Sequence, residues 1–312
     1  MNIYNEEEIQ LKIAISGGTG FIGKALANFF DLQGHTVYIL TRNKRENPLN
    51  SNIHYTQWDT HSHDFPLTSI DVVVNLAGES INNGRWTKKQ KKHIVASRLH
   101  TTSSLIKQLQ TLQKKPHTFI NASAIGYYGT SETKTFTEQY KESGSDFLAT
   151  TVKQWEEAAS NATSLGMRTI YTRFGIVLGK DGGALPKMLL PYKLFIGGTI
   201  GSGNQWLSWI HLDDVIRMID FAIHTKEIEG PLNITAPNPT TMQEFGKMLS
   251  LVMHRPHWLP VPAVALHALL GEMSMLVLQG QHVLPEKALQ NGFQYSFPTL
   301  KHALQNLISH TM

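Results

Sequence analysis

A chain of 312 residues with 41% hydrophobic and 17% charged content can bury a substantial core, which excludes a disordered protein. It contains no cysteine, so disulfides, thiolate metal sites and cysteine nucleophiles are excluded together. The net charge of +4 is modest, and its densest source, Lys88, Lys89, Lys91 and Lys92, lacks interleaved aromatics and reads as a solvated helix face, so no nucleic-acid partner is expected.

The chain opens on the acidic run Glu6-Glu7-Glu8, unlike the basic-then-apolar pattern of a secretory leader, and a cytoplasmic protein is the default expectation. Residues 1–10 read as an N-terminal extension. An apolar run from Leu11 to Ser16 then predicts a strand, followed by Gly17-Gly18-Thr19-Gly20-Phe21-Ile22-Gly23 and a helical stripe through Phe21, Ile22, Ala25, Leu26 and Phe29. Glycines at 17, 20 and 23 allow a sharp turn, close approach of backbone amides to a pyrophosphate, and tight packing of helix on strand. The helix N-terminus then favours an anion without a basic side chain. Gly17, Thr19, Gly20, Phe21 and Ile22 are therefore assigned to a dinucleotide cofactor.

Gly34 ends this unit before a second strand, His35 to Leu40, which runs into Thr41-Arg42. NAD-preferring sites place an acid there. An arginine instead offers a fork of donors for a 2′-phosphate, so Thr41 and Arg42 predict NADP in preference to NAD. Strands at Ile53 to Trp58 and Ile70 to Leu76 follow, with Asp59 as either an adenine contact or a cap. The second of them ends in Leu76-Ala77-Gly78-Glu79, whose small residues suit backbone contact with the cofactor. Glu79 is assigned to substrate or ribose. A helix from Thr87 to Gln113, capped by Thr87, carries Arg98 as a cofactor or substrate contact.

A strand at Phe119 to Ala122, a helix from Asp146 to Leu165 with Ser145 as cap, and a strand at Thr169 to Arg173 complete the rhythm. Short, continuously apolar strands between helices predict an α/β fold, a doubly wound parallel Rossmann-type sheet over residues 11–175, with ligand at the carboxyl ends of the strands. Residues 176–312 read as a smaller substrate-side lobe. Its glycines and prolines are interleaved with Met188, Phe195, Trp206 and Trp209, and Trp209 and His211 are assigned to the substrate. The apolar segment Val261 to Leu278 is interrupted by Pro262, His267 and Glu272. It is too short and polar to span a bilayer, so a buried helix and no membrane partner are expected. The fifteen histidines show no metal-ligand spacing, and no metal is expected.

Together these residues resemble the short-chain dehydrogenase/reductase superfamily in its extended branch of nucleotide-sugar epimerases and dehydratases. The resemblance spans nearly the whole chain and rests on the glycine motif at 17–23, Asp59, Asn75-Leu76-Ala77-Gly78, the stretch Asn121 to Gly129, and Trp209-Ile210-His211-Leu212-Asp213-Asp214. It looks closest to the subfamily usually called epimerase family protein, through Gly78-Glu79-Ser80-Ile81, Ser97-Arg98, Arg173 to Gly179, and a C-terminal domain of unknown function beginning near His254.

The superfamily's chemistry implies a serine on the substrate oxygen, a tyrosine acid/base and a lysine four residues after it. Ser123 matches the serine and Lys153, followed by Glu157, the lysine, which would also hold the nicotinamide ribose. The tyrosine position then falls on Ala149, leaving Tyr127, Tyr128 or Glu79 as a substitute acid/base, with Tyr127 assigned to the catalytic set. Two functions follow: an NADP-dependent oxidoreductase or epimerase acting on a small polar or sugar-like carbonyl or alcohol, or a non-catalytic NADPH-binding sensor or scaffold. The substrate and the oligomeric state are not encoded in any motif found.

Overall fold

Continuous apolar strands form the centre of the molecule, seen here in a computed structural model that describes residues 10–82 and 84–308. The Glu6-Glu7-Glu8 run and the rest of residues 1–9 lie outside the described residues. The first half contains β1 (Lys12–Ser16), α1 (Phe21–Leu32), β2 (Thr36–Thr41), β3 (Ile53–Gln57), β4 (Val72–Asn75), α2 (Lys88–Leu109), β5 (Thr118–Ala124), β6 (Ser131–Phe136), α3 (Phe147–Ser160) and β7 (Arg168–Phe174). Then come β8 (Ile176–Leu178), α4 (Leu185–Lys193), β9 (Trp206–Leu207), β10 (Trp209–His211), α5 (Leu212–His224) and β11 (Gly230–Ile234). The chain finishes with β12 (Thr240–Thr241), α6 (Met242–Met253), α7 (Ala263–Leu270), α8 (Met275–Leu278), β13 (Gln281–Val283), α9 (Glu286–Gln290) and α10 (Leu300–Ile308).

The expected doubly wound sheet is present, with seven strands in the order β11-β7-β5-β4-β1-β2-β3. Every pairing in it is parallel. Side chains alternate across the pleat, so Ile13 and Ile15 of β1 pack with Leu26 and Phe30 of α1 and Ile219 of α5, while Ala14 faces Leu105 and Leu109 of α2. Burial on both faces is why these strands are apolar runs without alternation. Chain order reverses between β1 and β4, which opens a crevice at their carboxyl ends.

A polar network braces that reversal. Asn75 accepts from Ser16 Oγ at 2.5 Å and donates to Asn121 Oδ1 at 2.7 Å and Thr102 Oγ1 at 2.9 Å, and Trp155 Nε1 also donates to Thr102 Oγ1 at 2.9 Å. Each buried partner is satisfied, so the network fixes β1, β4, β5, α2 and α3 relative to one another.

Three expectations are corrected. The doubly wound unit does not end at residue 175, because β11 pairs with β7 and α5 packs on α1. Pro231 and Asn233 disguise β11 in the sequence, and the proline is tolerated because the strand lies at the sheet edge. The cap of α3 is Asp146 and not Ser145; the Asp146 carboxylate accepts from the amides of Leu148 and Ala149. Thr87 does cap α2, accepting from Gln90 N. Finally, Val261 to Leu278 is not a buried helix. Gly271, at φ +58°, breaks it into α7, a short 3-10 turn and α8, and no residue of α7 is buried.

Candidate functional site

At the crevice, the turn after β1 lies directly against the end of β4. A Cβ on Gly17, whose φ is +72°, would stand 2.7 Å from the carbonyl carbon of Leu76 and 2.8 Å from Ala77 N, and one on Gly23 would stand 2.4 Å from Gly17 O. Only glycine permits this fit, which brings the start of α1 over the turn. No side chain caps α1 and its first turn holds no acid. Its positive end therefore faces the groove available to an anion, and the backbone present fits a dinucleotide pyrophosphate.

The groove is lined by Gly17, Thr19, Gly20, Thr41, Arg42, Asn43, Arg45, Leu76, Ala77, Gly78, Glu79 and Ser97 among others. Asp59 does not join them: its carboxylate accepts from His61 N in a local turn. Two fingerprint residues also turn away. Ile22 packs into the core beside β1, and the Phe21 ring lies under the loop at Gly179, Gly182 and Gly183, where a Cβ would come within 2.4–3.0 Å of it.

Next to the groove, beyond the carboxyl ends of β5 and β7, is a cavity of ≈300 Å³. Ala124, Ile125, Leu148, Val152, Trp155, Phe174, Ile176, Met275 and Leu276 give it a mostly apolar wall, and Trp206 stands at its side. Arg98 lies where groove and cavity meet. Its side chain packs on Gly78, Nη1 donates to the Ile94 carbonyl at 3.0 Å, and the guanidinium lies 5.0 Å over Trp155. Burial lowers its pKa to about 10, against the opposing pull of Glu79, so it remains a cation at neutral pH. Three other polar groups on the wall are engaged: Thr151 Oγ1 donates to Phe147 O, Ser208 Oγ to Gln281 O, and Asp146 caps α3.

The residues matched to serine, tyrosine and lysine fall elsewhere. Ser123 is buried and donates to Glu156 Oε1 at 2.5 Å; Ala124, the next residue of β5, faces the cavity instead. Lys153 is exposed on the outer side of α3, whereas Val152 lines the cavity and Glu156, not Glu157, is the inward glutamate. Counting back four residues from Val152 moves the tyrosine position from Ala149 to Leu148, which also lines the cavity. Ala149 is buried beside Gly144. The slip is one residue in both elements, and in a strand one residue exchanges the faces.

Tyr127 gathers with Ser123 around a different group. The buried Arg173 makes two 2.8 Å hydrogen bonds to Glu156, and its guanidinium carbon lies 3.6 Å from the Tyr127 ring centroid and 4.8 Å from that of Tyr128. Tyr127 Oη donates to Lys141 O, and Tyr128 Oη to Asn233 Oδ1 of β11. Burial works against the Arg173 charge, but the Glu156 carboxylate outweighs it and holds the guanidinium above its ordinary range. Burial also pushes the Tyr128 hydroxyl up to about 12, so it stays neutral.

Trp209 and His211 are likewise structural. Trp209 is fully buried in the smaller lobe and donates to Asn238 O. His211 Nδ1 accepts from Asp213 N as the cap of α5, and its ring stacks on Phe297. Burial lowers its pKa, consistent with a neutral ring that can accept there. Among the described residues no group of His, Asp or Glu is arranged to hold a metal ion. Nor is any described helix long and apolar enough to cross a membrane.

Residues 13–235 match the model of the NAD dependent epimerase/dehydratase family, and residues 261–307 that of a domain of unknown function, DUF1731. The first match reaches the end of β11, in agreement with the sheet. Epimerase family protein YfhF of Bacillus subtilis is 49% identical over 301 residues, covering 96% of this chain and 98% of that protein. The crystal structure of human epimerase family protein SDR39U1 (isoform 2) with NADPH aligns at a TM-score of 0.86 with 34% identity, over 96% of this chain and 99% of that one. UDP-glucuronic acid 4-epimerase from Bacillus cereus, in complex with NAD, shares the fold at a TM-score of 0.76 and 18% identity, over 96% and 99% of the two chains.

Proposed function

This chain belongs to the NAD dependent epimerase/dehydratase family, and from that premise we propose that it binds NADPH in the groove and passes a hydride to a largely apolar carbonyl compound in the adjoining cavity. One observation carries the reading: the nucleotide groove runs into an apolar cavity at Arg98. NADPH, when bound, supplies the hydride. Gly17, Gly20 and the start of α1 hold its phosphates, and Leu76-Ala77-Gly78 present backbone to its ribose side. Arg42 and Arg45 border the groove at the end of β2 without an acid among them, which suits a 2′-phosphate. That the crystal structure of human SDR39U1 is with NADPH supports the choice of nucleotide.

Arg98 takes the role of electrophile. Its charge, largely stripped of water and aimed at the cavity, stabilises the oxygen that becomes negative as the carbonyl accepts hydride, and the balancing proton comes from solvent. The cavity wall favours an apolar acceptor over the small polar or sugar-like compound expected from sequence, since Ala124, Leu148 and Val152 offer a sugar no hydroxyl or charge. The same three side chains support a second reading, an NADPH-responsive sensor, because none can act as acid or base.

Turnover of NADPH with a panel of apolar ketones, enones and quinones separates the two. Hydride transfer predicts saturable oxidation that falls roughly a hundred- to a thousandfold in Arg98→Gln while NADPH still binds. Full NADPH affinity with no oxidation by any acceptor would discard the hydride reading. For the cofactor, Arg42→Ala is expected to weaken NADPH roughly ten- to a hundredfold and leave NADH unchanged, the worth of one charge-assisted contact. Calorimetric titration with both nucleotides checks this, and an unaltered NADPH to NADH ratio would remove Arg42 from the site.

A further inference from the structure

The helix α7, Ala-Val-Ala-Leu-His-Ala-Leu-Leu, is apolar but for His267, whose Nδ1 pairs with Ser274 Oγ, yet lies on the surface, with Val264 79% and Leu269 65% exposed. A helix of that kind is ordinarily covered. The segment leading into it adds Trp258, 64% exposed, whose Nε1 donates to the carbonyl of Phe195, itself an exposed aromatic. Between His254 and Pro285 the single acid is Glu272, and it is paired with Lys91.

That pairing places a cationic border beside the apolar helix. Arg85 Nη2 donates to Leu269 O at 3.0 Å, so the start of α2 abuts the end of α7, and Lys88, Lys89 and Lys92 are exposed there. No acid occupies the first turn of α2. Lysines at a helix N-terminus oppose its dipole, a cost that an anionic surface would offset.

We propose that α7 and the basic start of α2 together dock this protein on an anionic lipid surface, with the α7 side chains and Trp258 at the acyl boundary and the lysines among the headgroups. This departs from the expectation of no membrane partner, which rested on the absence of a spanning segment. A second copy suits the face less well, because the same patch on that copy brings no free acid to the lysines: residues 254–285 hold only Glu272, already paired with Lys91. Met275 and Leu276, one short turn beyond α7, line the apolar cavity, so the docked face carries part of its wall. A lipid-borne acceptor is then the substrate class; that corollary rests on the hydride-transfer reading, whereas the docking does not.

Sedimentation of the full chain with vesicles of phosphatidylcholine, with and without phosphatidylglycerol, tests the proposal. Binding is expected to the anionic vesicles, to weaken as salt is raised, and to be slight on phosphatidylcholine alone. Val264→Asp with Leu269→Asp should abolish it, and Lys88→Gln, Lys89→Gln and Lys92→Gln together should weaken it about a hundredfold, roughly fivefold per lysine. NADPH titration confirms that both variants are folded. Absence of binding to anionic vesicles, or binding untouched by the α7 changes, overturns the proposal. So does a concentration-dependent dimer that the α7 changes dissolve while vesicles go unbound, which would assign the face to a second copy.

Discussion

Replacing Glu156 by alanine is expected to destabilise the fold by about 3–5 kcal/mol, because it strands the buried Arg173 guanidinium without its counter-charge. Arg173 and Glu156 are 3% and 9% exposed at their side chains, and the pair joins β7 to α3. The Tyr127 and Tyr128 rings over the guanidinium contribute cation–π attraction but no charge. A loss of this size is a large share of a typical domain's stability, so reduced soluble expression should accompany it. Ser123→Ala removes only one donor to the same carboxylate and should cost about 1 kcal/mol. Denaturant unfolding of both variants is the check. Equal, small losses would show that the pair is solvated in solution, and Ser123 would return as a candidate for the site.

The second large effect is expected in the glycine turn. Gly17→Ala should weaken NADPH and NADH alike by roughly a hundredfold or more. Its Cβ would press on the backbone of Leu76 and Ala77 from a left-handed conformation that alanine resists. The turn must shift, and amides aimed at the pyrophosphate lose alignment. Two charge-assisted hydrogen bonds lost at about 1.5–3 kcal/mol each account for that range. Titration of the purified variant, with circular dichroism to confirm the sheet, measures it. Retained affinity in a folded variant would show that the turn does not hold the phosphates, and the groove assignment would fail with it.

Which parts of this molecule are legible in its sequence follows from how each signal is written. β1, β2 and β4 are largely apolar runs because both faces of the sheet are covered there, and their places, like those of β3, β5 and β7, can be read to within a residue or two. The glycine turn is readable because a backbone approach this close leaves no alternative residue. β11 is not, since an edge strand tolerates a proline and an asparagine that spoil the apolar run. The misplacement of Ser123 and Lys153 has a different origin: the motif aligns through Glu157 only if that residue is the inward one, and the inward residue is Glu156. The helical stripe Leu148, Val152, Trp155 and Ala159 carries the correct register in its 4-3-4 spacing, and it outweighs a single glutamate. Arg98 falls on the expected helix, but its position between groove and cavity depends on Gly78 and Trp155, which only the packed structure brings together. The surface exposure of α7 is hidden for a related reason, as composition alone cannot tell an apolar helix that is covered from one that waits for a cover.

The late arrival of β11 bears on how the protein is made. During synthesis β7 is complete roughly sixty residues before its outer neighbour, and until Gly230 to Ile234 emerge its free edge presents unpaired amide and carbonyl groups beside a bare apolar face. The nascent chain is therefore most vulnerable to association with its neighbours from the emergence of β7 until that of β11, while the intervening lobe segment is being added.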